Sequence, residues 1–366
     1  MAGDPAADRQ ALVTVINLGL LWHCLCAITR LEVPERLAAG PLPVPELAAA
    51  VGADQDALRR VLRLVADHRI VTFEGDRVGL TERGRLLCRD HPASLSAAFA
   101  TVGDSDVAHG LTETLRTGQA AAPRVLGMPY WDYLATHPDQ QALFDQAMTQ
   151  RAGALSLACV PVLDWPTSGV IADIAGGSGT LVAAVLQAAP GTRGILVDQP
   201  QVLERARPVL ARHGVADRCT LHPGDLFAPP PPAELYLLAS VLHDWDDTHA
   251  ARILAALGRS ATGGTRLRIF EMLLPDDATP HRAKMSDVLM LLQFDGARER
   301  TLGQYRDLLE DTGWQLERVV ASPGPMSVIQ AGRRPVSLAG STARGVSIRG
   351  DVDPGSSLER ADDGVA

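Results

Sequence analysis

Val170-Ile-Ala-Asp-Ile-Ala-Gly-Gly-Ser-Gly-Thr180 is the stretch from which the fold is predicted. Its apolar, β-branched start is typical of a strand buried in a parallel sheet. This strand ends in Asp173, and a glycine-rich loop leads into a predicted helix over 181–189, ended by a Pro-Gly pair. A second strand, 195–197, ends in Asp198. The segments predict a βαβ unit with an acid roughly 20 residues past the loop, where a carboxylate reaches a ribose diol.

The glycine spacing of the loop separates two classes of cofactor. Dinucleotide sites use Gly-x-Gly-x-x-Gly, but here Val182 stands at the third glycine position after Gly177 and Gly179. Asp173 precedes the loop, where a carboxylate would repel a pyrophosphate but could organise a cationic ligand. Asp-x-Ala-x-Gly-x-Gly resembles the loop of S-adenosylmethionine (SAM) methyltransferases, with Ala175 replacing the usual first glycine. This replacement is mild if Ala175 has a negative φ, which alanine tolerates. Alone, the loop also fits a glycine turn in another α/β protein.

Length, charge and cysteine content set broad limits. The 366 residues leave room for two domains, and the net charge of −9 without a long basic run argues against a nucleic-acid partner. The five cysteines are scattered and lack the partners of a zinc site, which indicates reduced thiols in a cytoplasmic protein. We find no signal peptide and no apolar run of the ~20 residues that span a membrane.

Residues 11–118 predict a mostly helical winged-helix domain, and residues 1–10 are expected to be frayed. Residues 11–31 predict a helix that is apolar nearly all round, which indicates burial against another subunit or in the core of its own domain. A helix–turn–helix over 45–67 and a hairpin over 70–80 follow. Such domains can bind DNA, but the second helix carries acids beside its arginines, so we expect dimerisation instead.

A helical linker, 119–165, joins the two halves, and its aromatic residues predict either packing of the domain junction or a pocket for a flat substrate. Residues 166–332 alternate strands and helices and end in a pair of strands. They predict a Rossmann-like, doubly wound α/β domain, with a parallel sheet and an antiparallel closing hairpin. The hydrophobic pattern then ends, and residues 333–366 predict a disordered tail.

Polar residues follow several of the predicted strands. Asp173, Asp198, Asp225, His243 and Glu271 all stand at such ends, where ligands of open α/β sheets bind. A single histidine after a strand is usually structural. A histidine among carboxylates is a candidate general base, because its pKa lies near neutral and a carboxylate can fix its tautomer. We expect a helix to open at this histidine, and we predict no metal site.

Several motifs taken together resemble one family. The winged-helix half and four short motifs are similar to class I SAM-dependent O-methyltransferases, such as plant caffeic acid O-methyltransferase and bacterial enzymes of aromatic or polyketide natural products. The four motifs are Asp-Ile-Ala-Gly-Gly-Ser-Gly179, Gly-Asp-Leu-Phe227, Val-Leu-His-Asp-Trp245 and Gly-Ala-Arg-Glu-Arg-Thr301. The resemblance covers residues 11–332. It implies a homodimer that methylates a hydroxyl, expected to be phenolic, of an aromatic or polyketide-like secondary metabolite such as an antibiotic.

The sequence leaves two alternative functions open. The first is an enzyme of the same scaffold that binds SAM without transferring its methyl group, such as a hydroxylase or decarboxylase. The second is a winged-helix regulator with a ligand-sensing domain. The histidine with its glutamates argues against the first alternative, and the acidic net charge argues against the second.

The resemblance also implies a set of site residues. The predicted general base is His243, with Glu271 and Glu299 flanking its ring. Cofactor-binding residues would be Asp173, Ala175, Gly176, Gly177, Gly179, Asp198, Gln199, Gly224, Asp225 and Leu226. Acceptor-binding residues would be Trp131, Phe144, Asp145, Met148, Asp244, Met290 and Phe294. Plant relatives carry a lysine where Ala239 stands, so adenine must be held differently, through Ser240 or water.

Overall fold

The N-terminal part folds as helices around a small three-stranded sheet in the computed structural model, which describes residues 4–333. The elements are α1 (Pro5–Arg30), α2 (Val33–Leu37), β1 (Leu42–Pro43), α3 (Val44–Val51), α4 (Gln55–Asp67), β2 (Val71–Glu74), β3 (Arg77–Leu80), α5 (Glu82–Arg85), α6 (Ser96–Ala100), α7 (Val102–Ser105) and α8 (Leu111–Thr117). The strands lie in the order β1-β3-β2 and pair antiparallel. The predicted helix–turn–helix and hairpin are therefore present.

Helix α1 begins earlier than the sequence pattern indicated. Asp4 accepts the N–H of Ala6 at 3.0 Å and Pro5 is in the first turn, so residues 5–10 are helical and not frayed. Its exposed apolar residues are Leu12, Val15, Ile16, Leu18 and Leu20. By length and composition α1 could cross a membrane, contrary to the expectation that no segment would, although core helices of soluble proteins share these properties.

Four helices connect the two halves of the chain. They are α9 (Ala122–Leu126), α10 (Tyr130–Thr136), α11 (Pro138–Met148) and α12 (Ala154–Leu157). A π-helical turn, Thr149–Gly153, joins α11 to α12. Such turns are rare and are frequently found at functional sites.

The C-terminal part is built on a seven-stranded sheet. Its elements are β4 (Gly169–Ile174), α13 (Thr180–Ala188), β5 (Thr192–Asp198), α14 (Pro200–Arg212), β6 (Cys219–Pro223), β7 (Leu235–Ala239), α15 (Asp247–Ser260), β8 (Arg266–Glu271), α16 (Ala283–Gln293), α17 (Leu302–Asp311), β9 (Trp314–Ala321) and β10 (Ser327–Arg333). The order is β6-β5-β4-β7-β8-β10-β9, with β10 antiparallel to both neighbours. The predicted doubly wound sheet with an antiparallel closing hairpin is confirmed.

Both faces of this sheet are buried, which explains the apolar strands. Ala172 and Ile174 of β4 pack in the core beneath α15 and α17, whereas Ile171 packs in a second core with α13. The order of the strands reverses between β4 and β7, the point at which such sheets bind ligands. Polar residues at the carboxyl ends of these strands are therefore the ones that need a functional explanation.

The last strand reaches one residue beyond the boundary predicted at 332. Arg333 donates from Nη1 to the carbonyls of Thr312 and Gly313 at 2.9 and 3.0 Å, and its guanidinium lies over Trp314. Arg333 therefore belongs to the sheet and not to the predicted tail. Residues 334–366 of that tail lie outside the described residues.

Candidate active site

The glycine-rich loop after β4 contains three left-handed residues. The φ angles are 54° at Ala175, 57° at Gly177 and 74° at Gly179. The condition under which alanine would be a mild replacement at 175, a negative φ, is therefore not met. A left-handed alanine costs roughly 1–2 kcal/mol, and the N–H of Ala175 is held by the carbonyl of Val197 at 2.8 Å. This strain at the end of a central strand is typical of functional sites.

Asp173 lies behind the loop and not on its open side. Its side chain is 0% exposed, and a Cβ atom at Gly176 would meet the Asp173 carboxyl group at 2.5 Å. Burial and the charge of Asp198 raise the pKa of Asp173 to about 7. The predicted cofactor role of Asp173 would therefore act through the loop that it supports, and the same contact requires glycine at 176.

Asp198 connects the loop to the start of α14. Its Oδ2 accepts the N–H of Gly177 at 2.8 Å, and its Oδ1 accepts the N–H of Gln199 at 2.7 Å. The Asp198 carbonyl accepts the N–H of Gly224 at 3.1 Å. The side chain is half-buried, and each carboxylate oxygen keeps capacity to accept a further hydrogen bond. Asp198 can therefore accept from a diol.

The residues predicted to hold adenine stand in the chain after β6 and at the end of β7. Asp225 is exposed and its Oδ1 accepts the N–H of Phe227 at 2.9 Å, while Leu226 packs against the core. Ala239 ends β7, and Ser240 after it has a φ of 54°. The two central strands, β4 and β7, thus both run into left-handed residues that are not glycine, and these face the same edge of the sheet.

His243 lies in a short 3-10 turn, Leu242–Asp244, and not at the opening of a helix as predicted. Helix α15 begins only at Asp247. The imidazole is 8% exposed. Two backbone hydrogen bonds lie within the turn, from the N–H of Asp244 to Val241 and from the N–H of Trp245 to Leu242, both at 3.3 Å, and contacts with other segments add to them.

Three carboxylates surround the imidazole of His243. Its Nδ1 lies 2.9 Å from Oε2 of Glu271 and 3.4 Å from Oε1 of Glu299. Its Nε2 lies 3.4 Å from Oδ1 of Asp244. The two glutamates therefore meet the same nitrogen and do not flank the ring on opposite sides. The acid at the other nitrogen is Asp244, which was predicted to bind the acceptor.

The second oxygen of Glu271 explains how the contact with His243 is fixed. Oε1 of Glu271 accepts the backbone N–H groups of Val241 and Leu242 at 3.1 and 3.0 Å. Oε2 is thereby directed at Nδ1. A carboxylate at Nδ1 favours the tautomer with hydrogen on that atom, which leaves Nε2 as the acceptor.

The carboxylates change the proton affinity of His243. Burial lowers the pKa of His243, but the charges of Glu271 and Asp244, with hydrogen bonds to both glutamates, raise it well above its ordinary value. At Asp244, burial raises the pKa to about 7, against the opposing charge of His243. His243 is consequently a stronger base that needs a higher pH to be neutral.

The same cluster has the donor types of a metal site. His243, Glu271 and Glu299 offer ligand atoms within 4.8 Å of one another, a group that was not expected from the sequence. Imidazole and carboxylate suit several divalent metals. The absence of a metal in the reaction stays a prediction, and chelation tests it.

Aromatic residues form a wall near this turn. Four residues predicted to bind the acceptor, Trp131, Phe144, Met290 and Phe294, share one apolar cluster. The ring of Trp131 stacks on Phe294 with centroids 4.7 Å apart. It also stacks on Trp245 at 6.3 Å. Trp245 was not predicted, although it stands two residues after the histidine in a quoted motif.

Asp145 contacts a helix of the cofactor-binding half. It pairs with Arg205 of α14, and burial, together with the charge of Asp198, raises its pKa. At the end of the same helix, Thr149 Oγ1 lies 3.2 Å from Ser178 Oγ of the glycine loop. Met148 is half-buried between these positions. The acceptor role predicted for Asp145 and Met148 stays a prediction.

Comparison with known families identifies the class of protein. Residues 108–315 match the O-methyltransferase domain, and residues 10–90 match the O-methyltransferase dimerisation domain. The chain belongs to the O-methyltransferase family. It is a SAM-dependent O-methyltransferase, and solved relatives hold SAM or its product S-adenosylhomocysteine.

Individual relatives agree with this assignment. The chain is 35% identical to a mitomycin biosynthesis 6-O-methyltransferase of Streptomyces lavendulae, over 90% of this chain and 95% of the relative. It is 34% identical to a phenazine O-methyltransferase of Lysobacter antibioticus, over 85% of this chain and 92% of the relative. The solved structure of LaPhzM superposes with a TM-score of 0.84 at 32% identity, covering 89% of this chain and 99% of that one.

Proposed function

We propose that this O-methyltransferase methylates a phenolic hydroxyl of an aromatic or polyketide-like secondary metabolite, with His243 as the general base. The observation that carries the proposal is the arrangement of Glu271, whose Oε1 binds two backbone N–H groups while Oε2 lies 2.9 Å from Nδ1. This arrangement favours hydrogen on Nδ1 and leaves Nε2 to take a proton.

The residues near the loop fit SAM. The space beside Gly177 is open, and Asp198 has acceptor capacity for the ribose hydroxyls. When bound, SAM supplies a methyl group already activated on a sulfonium. We assign the remaining predicted cofactor residues to this region, with Leu226 packing against adenine and Ser240 or water replacing the lysine of plant relatives at Ala239.

The work of the protein is then to orient the acceptor and to take its proton. A phenol has a pKa of about 10, like tyrosine. The glutamates raise the pKa of His243 and so narrow the gap between base and phenol, which favours proton transfer to Nε2. Glu271 and Glu299 then stabilise the imidazolium. Alignment of the acceptor is an orientation effect that falls to the residues of the pocket.

The acceptor class follows from the aromatic wall and from the relatives. Trp131, Phe294 and Trp245 offer stacked rings close to the His243 turn. The named relatives act on phenazine and mitomycin compounds. We therefore infer a flat acceptor that packs against these rings, which matches aromatic stacking preferences. Phe144, Met290 and Asp244 would complete the pocket.

The test is SAM turnover against a panel of phenols, quinones and aromatic amines, with product mass and position of methylation. Gain of one methyl group on a phenolic oxygen supports the proposal. Cleavage or hydroxylation of the acceptor without methyl gain would favour the non-methylating alternative, and methylation confined to nitrogen would contradict the acceptor class.

We infer that the protein is a cytoplasmic homodimer and that α1 contributes to the interface. The exposed apolar residues of α1 lie within the matched dimerisation domain. Replacing Leu12, Val15 and Ile16 by serine should shift the protein toward monomer, measured by light scattering at micromolar concentration. A wild-type monomer under those conditions contradicts the inference. We also expect the protein to bind neither DNA nor lipid vesicles.

A further inference from the structure

Arg300 is a buried arginine that binds the backbone on both sides of His243. Its side chain is 1% exposed. Nη1 donates to the carbonyl of Leu242 at 2.7 Å, and Nη2 donates to the carbonyl of Trp245 at 2.8 Å. Nε donates to Oδ1 of Asp247 at 2.9 Å. One planar group thus holds the start and the end of the turn that carries the imidazole.

The two residues before Arg300 contact the same turn in different ways. The N–H of Arg298 donates to the carbonyl of His243 at 2.9 Å. Oε1 of Glu299 lies 3.4 Å from Nδ1 of His243. We call residues 298–300 the clamp segment. It touches the turn through a backbone amide, a carboxylate and a guanidinium, so the position of Glu299 against the imidazole depends on how firmly the segment is held.

Apart from these contacts, the turn is held by two backbone hydrogen bonds of its own at 3.3 Å and by Oε1 of Glu271, which accepts the N–H groups of Val241 and Leu242. It is a short 3-10 segment between the strained Ser240 and the start of α15 at Asp247. The guanidinium of Arg300 is rigid and reaches two carbonyls at fixed geometry, whereas a lysine ammonium on a flexible stem does not reproduce this fork. Arg300 therefore binds carbonyls at both ends of the turn with one rigid group.

Charged and titratable groups face His243 from each neighbouring element. They are Glu271 from β8, Asp244 from the turn itself and Glu299 from the clamp segment. Tyr305 of α17 lies beside the glutamates and Arg300, and burial raises its pKa well above the ordinary value. The guanidinium of Arg300 contacts the backbone of the turn, Asp247 and Tyr305, whereas the carboxylates contact the imidazole. Arg300 thus acts through the turn.

We propose that Arg300 is a positioning residue that holds the His243 turn against Glu271 and Glu299 and thereby sets both the rate of methyl transfer and the pKa of the base. The proposal rests on the general-base role proposed for His243. It differs from that role in assigning the geometry of the base to a residue whose guanidinium binds the backbone of the turn and Asp247 instead of the imidazole.

Arg300→Lys tests the proposal, because it keeps the charge and loses the fork. We expect kcat to fall by about 10-fold to 10²-fold, the range of effects from small misplacement of reacting groups. The KM for SAM should stay close to the wild-type value. Loosening Glu299 removes one cause of the raised pKa at His243, so the acid limb of the pH profile should move to lower pH.

Arg268→Lys is the matched control. Arg268 of β8 is also buried and donates to a backbone carbonyl, that of Asp164, while its guanidinium lies over Trp165. Both variants lose a buried guanidinium and should lower the melting temperature. Only the Arg300 variant should alter kcat and the pH midpoint. Equal behaviour of the two variants would show that Arg300 merely stabilises the fold.

Asp247→Asn keeps the proposal testable if the Arg300 variant does not fold. Asp247 is 59% exposed, so its replacement should be tolerated, and the loss of charge should weaken the hold on Nε of Arg300. A smaller fall in kcat and a smaller downward shift of the pH midpoint are expected. An unchanged midpoint in a folded Asp247 variant overturns the proposal.

A measurement without acceptor separates this proposal from the proposed function. Titration of the His243 ring signals by NMR reports its pKa in the free enzyme. A lower pKa in Arg300→Lys than in Arg268→Lys supports the positioning role even if wild-type enzyme methylates no phenol. Equal ring pKa values in the two variants would contradict that role even if phenols are methylated.

Discussion

Asp198 and Glu271 occupy equivalent places at the carboxyl edge of the sheet and differ in what remains of each carboxylate. Both accept two backbone N–H groups. In Asp198 each oxygen takes one, and the half-buried group keeps acceptor capacity on both. In Glu271 one oxygen takes both, and the other, 0% exposed, faces an imidazole. Whether an acid at a strand end binds a ligand or orients a base thus depends on its burial and on which of its oxygens accept backbone N–H groups.

The largest expected effect comes from removing the group that Glu271 orients. His243→Ala should lower methyl transfer by about 10²-fold to 10⁴-fold, the usual contribution of a positioned general base. Binding of S-adenosylhomocysteine should be nearly unchanged. The loss should shrink as the pH approaches the pKa of the phenol, since solvent then supplies phenolate. Single-turnover rates across pH measure this, and full turnover at neutral pH would exclude the base role.

Substituting each of the two acids in turn tests the comparison directly. Asp198→Ala should weaken S-adenosylhomocysteine by about 10²-fold, since hydrogen bonds to a charged group contribute about 1.5–3 kcal/mol each. Glu271→Gln should leave that affinity within about twofold, because the remaining Oε1 can still accept the N–H groups of Val241 and Leu242. Its kcat should fall, though by less than in His243→Ala, because Glu299 still faces Nδ1.

The pH profile adds a second readout to Glu271→Gln. In wild type, the acid limb of kcat/KM should have its midpoint above the ordinary histidine value, since the glutamates raise the pKa of His243. The substitution removes one of those charges, so the midpoint should move to lower pH. Calorimetry and pH-dependent kinetics on the same preparations measure both parts. A Glu271→Gln variant that loses affinity for S-adenosylhomocysteine instead would show that the two acids do not have separate roles.

The next prediction concerns the stability of the fold and Asp173, the acid that the fold buries completely. Its pKa is raised to about 7, so between pH 3.8 and pH 7 the unfolded chain releases a proton that the folded chain keeps. Stability therefore falls as the pH rises through that window. Asp173→Asn should remove this loss and raise the free energy of unfolding by up to about 4 kcal/mol at pH 8, since each tenfold difference in proton affinity contributes about 1.4 kcal/mol, with little gain near pH 4.

Denaturant unfolding at both pH values checks the Asp173 prediction. Asp225→Asn is the control, because Asp225 is an exposed acid near the same edge of the sheet. No pH-dependent gain is expected there. A gain at Asp173 that is equal at pH 4 and pH 8 would mean that burial of its charge is not the cause.

The smallest expected effect is that of chelation. Glu271 already contacts the imidazole, so we expect the reaction to need no metal at this cluster. Dialysis against EDTA should leave kcat unchanged, and added Mg²⁺ or Zn²⁺ should not raise it. Activity that falls with EDTA and returns with a metal would assign His243, Glu271 and Glu299 to a metal centre.

Much of this site could be predicted from the sequence because its parts are local. A strand followed by glycines and an acid specifies a βαβ unit within a short span, and the histidine and its neighbours form one motif. The left-handed φ of Ala175 was not predictable in the same way. It depends on the contact of its N–H with β5 and on the buried Asp173 behind Gly176.

The succession of strands and helices along the chain, the fold class and the identities of the candidate base and its two glutamates were predicted from the sequence, through apolar periodicity, short motifs and the resemblance to a family. Only the tertiary structure decided that both glutamates meet Nδ1, that the base has a raised pKa and that Arg300 holds its turn. These properties depend on distances between segments far apart in the chain. Local patterns do not encode such distances, because packing of the whole sheet sets them.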